Sequence, residues 1–90
     1  MSDLRFLIKG GGKVARFKAF GERLRELRKA RGLTQEDLSK KLGCTVESVM
    51  YWENCMKEPA LSYILRLCRH LEVDPNYLLC WDIYGPEGRN

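Results

Sequence analysis

The sequence predicts an all-α fold: five short helices behind a basic N-terminal arm or short hairpin. Three observations predict it. Apolar residues recur at helical spacing from Phe20 onward. The successive helical stretches are punctuated by capping residues, glycines and prolines. The second and third helices are separated by only Gly43-Cys44-Thr45, the short glycine-containing turn of a helix-turn-helix.

Residues 1–19 form the arm. Leu4, Phe6 and Ile8 alternate with Arg5 and Lys9 as in a short strand, and Gly10-Gly11-Gly12 interrupts any regular element. Val14 to Phe20 suits either the second strand of a hairpin or an early start to the first helix; a flexible arm is equally compatible. From Phe20 the helical stripe is Phe20, Leu24, Leu27 and Arg31, ending at Gly32 in a left-handed cap. Thr34 caps the second helix, about Gln35–Leu42, with Asp37 in the place of the capping-box acid. Thr45 caps the third, about Val46–Asn54. Pro59 precedes the fourth, about Ala60–Leu71, with Leu61, Ile64, Leu65, Cys68 and Leu71 assigned to one buried face. Asp74-Pro75 opens the fifth as a cap followed by proline at the first helical position. The helical domain therefore spans residues 20–81 and residues 82–90 are the C-terminal tail, whose end Gly85-Pro86-Glu87-Gly88-Arg89-Asn90 is expected to be disordered.

Ninety residues suffice for one small core and leave no room for a separate catalytic lobe. No stretch is long and apolar enough to span a membrane, and no secretory signal opens the chain, so the expectation is a cytoplasmic protein. The formal charge of +4 is concentrated: residues 1–20 carry five cations against Asp3 alone, while residues 21–90 balance. A basic arm on a neutral body points to a polyanion, nucleic acid before membrane. The competing reading is a solubilising tail. One histidine and cysteines at 44, 55, 68 and 80 without a C-x-x-C pair supply neither a zinc site nor a nucleophile–base set. The chain is thus read as a non-enzyme without metal or cofactor, its thiols reduced, and a thiol sensor is only a minor alternative. Cys44 and Cys55 bracket the third helix at ~16 Å, too far to bond to each other, and Cys80 and Trp81, which follow the fifth helix, are expected to be exposed.

Phe20-Gly21-Glu22-Arg23-Leu24-Arg25-Glu26-Leu27-Arg28-Lys29-Ala30-Arg31-Gly32-Leu33-Thr34-Gln35 resembles the opening of the lambda-repressor/Cro (XRE-type) helix-turn-helix family. Trp52-Glu53-Asn54 with Glu58-Pro59, and Val73-Asp74-Pro75-Asn76-Tyr77-Leu78-Leu79, resemble its later segments, so the likeness covers about residues 20–80. It implies a five-helix DNA-binding domain. It also implies a phosphate-binding role for Gln35 and Asn54, and an ion pair between Arg28 and Glu53. Two departures stand out. Cys55 occupies the place where the family usually has glycine, and the third helix carries no cation.

Helical geometry sorts the third helix independently of that likeness. Thr45, Ser48, Val49, Trp52 and Glu53 fall on one side, and Val46, Glu47, Met50, Tyr51 and Asn54 on the other. With Val49 and Trp52 in the core, the second group faces a ligand, and the resemblance implies base reading by Val46, Glu47, Met50 and Tyr51. Glu47 suits a cytosine amine, and Val46 or Met50 a thymine methyl. Such a Val/Met/Tyr patch also suits a protein partner. Gln35, at a helix N-terminus, is placed to offer a phosphate free N–H groups. The phosphate candidates are Gln35, Thr45, Asn54 and Lys57, with Lys9, Lys13, Arg16 and Lys18 from the arm. The expected function is a transcriptional regulator, a repressor, that binds double-stranded DNA as a homodimer. The alternative is an antitoxin-like or other protein-interaction module on the same fold.

Overall fold

A computed structural model describes residues 17–84, and these are entirely helical and loop. Helix α1 covers residues 17–30, α2 Gln35–Leu42, α3 Val46–Glu53, α4 Leu61–Leu71, α5 Pro75–Leu78 and α6 Trp81–Tyr84. The predicted five helices are present, and one further helical turn, α6, follows them. The strand alternative for Val14 to Phe20 does not hold for its described part. Residues 17–20 are helical, because Phe20 is buried and Phe17 packs against the same core. Helix α1 is thus already under way inside the segment assigned to the arm. The hairpin itself, with Leu4, Phe6 and Ile8, and the tail beyond Tyr84 lie outside the described residues.

Several boundaries have a local cause. At the end of α1, Gly32 adopts φ 71°, and the Leu33 N–H returns to the Arg28 carbonyl at 3.1 Å. The capping box forms as expected. Thr34 Oγ1 accepts from the Asp37 N–H at 3.0 Å, and the Thr34 N–H donates to Asp37 Oδ2 at 2.9 Å. That N–H holds the Asp37 carboxyl below its usual range. Gly43, at φ 75°, ends α2, and Thr45 caps α3 by accepting from the Ser48 N–H at 3.2 Å. Asp74 caps α5 through the Asn76 N–H at 2.8 Å.

The core gathers Phe20 and Leu24 of α1, Leu38 and Leu42 of α2, Val49 and Trp52 of α3, Leu78 of α5, and one stripe of α4. That stripe corrects the sequence reading. Ile64, Leu67, Cys68 and Leu71 are buried, whereas Leu61 and Leu65 are 73% and 56% exposed. Leu65 stands about 100° around the helix from Ile64, outside the i, i+3, i+4, i+7 stripe that meets α2. Leu61 belongs to the first turn, where the chain is only beginning to meet the core.

Cys80 is a second correction. Its position after α5 suggested exposure, but it is fully buried. A left-handed turn at Cys80, φ 62°, brings the side chain inward and redirects the chain into α6. Arg23 holds that last turn against α1. Its guanidinium lies 4.0 Å from the Tyr77 ring centroid and donates to the Tyr77 carbonyl at 2.6 Å and to Asp82 Oδ1 at 2.8 Å. The Arg23 bond keeps the Asp82 carboxyl below its ordinary range.

Candidate nucleic-acid interface

The faces of α3 separate as its period requires. Val49, Trp52 and Glu53 are buried, Glu47, Met50 and Asn54 are exposed, and Val46, Ser48 and Tyr51 are half-buried. The four proposed base readers, Val46, Glu47, Met50 and Tyr51, therefore share the side away from the core. Thr45 is exposed at the head of the helix, its hydroxyl used by the cap and 3.1 Å from Ser48 Oγ.

This outer face is oriented by a carboxylate on the inner one. Arg28 of α1 grips Glu53 with two donors, Nε to Oε2 at 2.6 Å and Nη2 to Oε1 at 3.1 Å, and Arg28 Nη1 donates to the Leu33 carbonyl at 2.9 Å. Gln35 of α2 donates from Nε2 to Glu53 Oε1 at 2.9 Å, and Arg25 Nε approaches the same oxygen at 3.4 Å. Burial alone would push the Glu53 carboxyl up. The bonds from Arg28 and Gln35, with the Arg28 charge, outweigh it and hold the carboxyl below its usual range. One carboxylate thus joins the first three helices, and the Arg28–Glu53 pair implied by the family resemblance is formed.

Sequence reasoning missed two further contributors. Arg25 passes beyond Glu53 and donates from Nη2 to Asn54 Oδ1 at 2.9 Å. Gly21 lets α1 pass against the end of α3, since a Cβ there would fall 2.6 Å from the Glu53 carbonyl and 2.9 Å from that of Trp52. The only available signal was the glycine inside an otherwise helical stripe. Cys55 does adopt the left-handed conformation that glycine would favour, φ 63°, and its Sγ lies 3.4 Å from the Phe17 carbonyl. The start of described α1 is therefore beside the C-terminal end of α3.

The phosphate candidates fall into three groups. Gln35, Thr45 and Asn54 lie at the ends of α2 and α3. Lys57 is exposed in the following loop, its Nζ 5.1 Å from the Tyr51 ring centroid. Lys18 is exposed on the first described turn of α1, while Lys9, Lys13 and Arg16 lie outside the described residues. No group of metal-ligating side chains occurs among the described residues, nor is any of their helices long and apolar enough to cross a membrane. The Cys44 and Cys68 thiols are pushed up by burial, which makes them less nucleophilic rather than more.

Two short helices joined by a left-handed glycine turn, the second anchored from within and open on its outer side, define a helix-turn-helix unit. The comparisons agree. A model of the helix-turn-helix domain matches residues 19–78. The chain is 40% identical over 58 residues to a Bacillus subtilis (strain 168) protein called uncharacterized HTH-type transcriptional regulator YobD. That match takes in 64% of this chain and only 52% of the relative, so it spans about half the relative's length. Among solved structures, it is similar to the restriction-modification controller protein C.AhdI from Aeromonas hydrophila. There the TM-score is 0.67 and the identity 39%, over 71% of this chain and 97% of that one. It is also similar to the P22 c2 repressor in complex with a synthetic operator, with TM-score 0.64 and identity 34%, over 66% and 89% of the two chains. The chain belongs to the lambda-repressor/Cro-like (XRE-type) helix-turn-helix family.

Proposed function

We propose that this protein is a sequence-specific DNA-binding transcriptional regulator of the cytoplasm, a repressor, that reads a two-fold operator as a homodimer with α3 in the major groove. One observation carries the reading. The outer face of α3 presents Glu47 and Met50 to solvent beside Val46 and Tyr51, while its inner face is locked to α1 and α2 through Glu53. A rigidly mounted helix with a free outer face is what base reading requires. The similarity to a repressor solved on an operator supports the same reading.

In this account Glu47 accepts from a cytosine amine, and Val46 or Met50 packs on a thymine methyl, with Tyr51 on the same face. Gln35, Thr45, Asn54 and Lys57 bind phosphates around α3. Gln35 still has a second amide hydrogen to donate, since Glu53 engages only one. Lys18, with Lys9, Lys13 and Arg16, adds attraction that the neutral body lacks. The contact of Cys55 with Phe17 supports this assignment, because it places Phe17 and its neighbour Lys18 next to the end of the reading helix.

Leu79, Trp81 and Ile83 form the dimer surface. They are 38%, 47% and 56% exposed on one short stretch that Arg23 ties to α1. Selection of bound duplexes from random DNA tests the proposal. Recovery of a motif with two-fold symmetry is expected. Recovery of no motif overturns the reading and favours α3 as a contact for a partner protein.

A further inference from the structure

We infer that Arg25 is a positioning residue of the interface: it sets the Asn54 side chain so that its amide nitrogen, rather than its oxygen, is left to meet DNA. This rests on the DNA-binding reading above and adds to it a residue that makes no contact with DNA itself. Asn54 ends α3, is exposed, and carries an acceptor and a donor on one amide. Only the donor suits a phosphate; the oxygen would be repelled. Arg25 Nη2 donates to Asn54 Oδ1 at 2.9 Å, which turns the oxygen toward α1. Arg25 is itself steered by Glu53, whose Oε1 lies 3.4 Å from Arg25 Nε.

The same Oε1 takes Gln35 Nε2 at 2.9 Å. Glu53 therefore orients Gln35 directly and Asn54 through Arg25, so the donors at the start of α2 and the end of α3 are referred to one buried group. Their spacing is fixed relative to each other and to the outer face of α3 between them. A guanidinium suits this role because its planar fork reaches two acceptors at once, which an ammonium on a flexible stem does not reproduce. The Arg25 side chain is 41% exposed and lies outside the core cluster, so the residue contributes little to the core.

A double-mutant cycle of Arg25→Ala and Asn54→Ala, with a mixed-sequence 30-base-pair duplex as probe, tests the inference. Phosphate contacts are independent of sequence, so no operator is needed. In the wild-type background Arg25→Ala is expected to weaken binding roughly 5- to 10-fold, about the net worth of one ordinary hydrogen bond, since the freed Asn54 amide still reaches the phosphate part of the time. In the Asn54→Ala background the same change is expected to cost no more than about twofold, because the residue it orients is gone. The general loss of a positive charge is common to both backgrounds and cancels in the comparison. The slope of log affinity against log salt is expected to change by less than about 0.3 on Arg25→Ala, against about 0.9 for a lost phosphate contact.

Equal losses in both backgrounds, with the full slope change, overturn the inference and make Arg25 a phosphate ligand. A second measurement needs no DNA. In the free protein, the Asn54 side-chain amide resonances are expected to move to the positions of a solvated amide on Arg25→Ala, with an unchanged backbone spectrum elsewhere. Unmoved resonances overturn the inference. Failure of the wild type to bind any duplex while those resonances do move refutes the DNA-binding reading instead.

Discussion

Glu53 is the position where substitution is expected to cost most. Its side chain is fully buried, and it receives two bonds from Arg28, one from Gln35 and one from Arg25. Arg28 is only 7% exposed, so Glu53→Ala leaves a buried guanidinium without its counter-charge. Removing one partner of such a pair costs about 3–5 kcal/mol. A domain of this size has a total stability of only roughly 4–10 kcal/mol. The urea midpoint should fall steeply, and part of the population should be unfolded without denaturant.

The double replacement Arg28→Met with Glu53→Leu removes both charges and refills the volume. It should recover most of the stability. It should not recover DNA binding, because Gln35 and Arg25 have lost the group that orients them. Acid behaviour follows from the same site. The folded carboxyl titrates below its ordinary value of 4.5, so its contribution is complete above that value and is lost as pH falls through the lower, folded pKa. Glu53→Gln should flatten the loss of stability below about pH 4.5 relative to wild type. A loss under about 1 kcal/mol for Glu53→Ala in urea titrations would refute the claim that this carboxylate joins the three helices.

Three further outcomes are expected. Glu47→Ala should alter preference at one or two operator positions by ~1–3 kcal/mol each in competition binding, with the melting temperature almost unchanged. Deleting residues 2–16, which spares Phe17 and Lys18 of α1, should make the salt slope shallower by about 2–3 with site preference retained; an equal slope rejects the arm's role. The paired change Trp81→Ser and Ile83→Ser should give a monomer by sedimentation, and an unchanged dimer would move the interface elsewhere.

The helix-turn-helix was legible because its signals are local. Thr34 with Asp37, Gly43, Thr45 and Asp74-Pro75 each act within one turn, and each forms the cap its residue type implies. The faces of α3 followed from period alone, with Trp52 as the large apolar anchor. The α4 face was less legible, because seven apolar residues in eleven, Leu61, Tyr63, Ile64, Leu65, Leu67, Cys68 and Leu71, offer a wider stripe than the core needs. Which of them turned inward was decided by the packing of α2 against α4, which a single helix does not encode. Cys80 was missed because its burial depends on a left-handed turn at a non-glycine residue. The Arg25–Asn54 bond joins residues far apart in the chain, so nothing in either local pattern announces it.

The central claim is that the outer face of α3 meets DNA while Glu53 holds the inner face. Titration of the isotope-labelled protein with its selected duplex, followed by backbone and side-chain amide shifts, tests it most directly. The account predicts that the largest shifts fall at Gln35, along Thr45 to Tyr51, and at Asn54, with the α4 core stripe unmoved. Shifts concentrated on α4 to α6, with Glu47 and Met50 unperturbed, would contradict it.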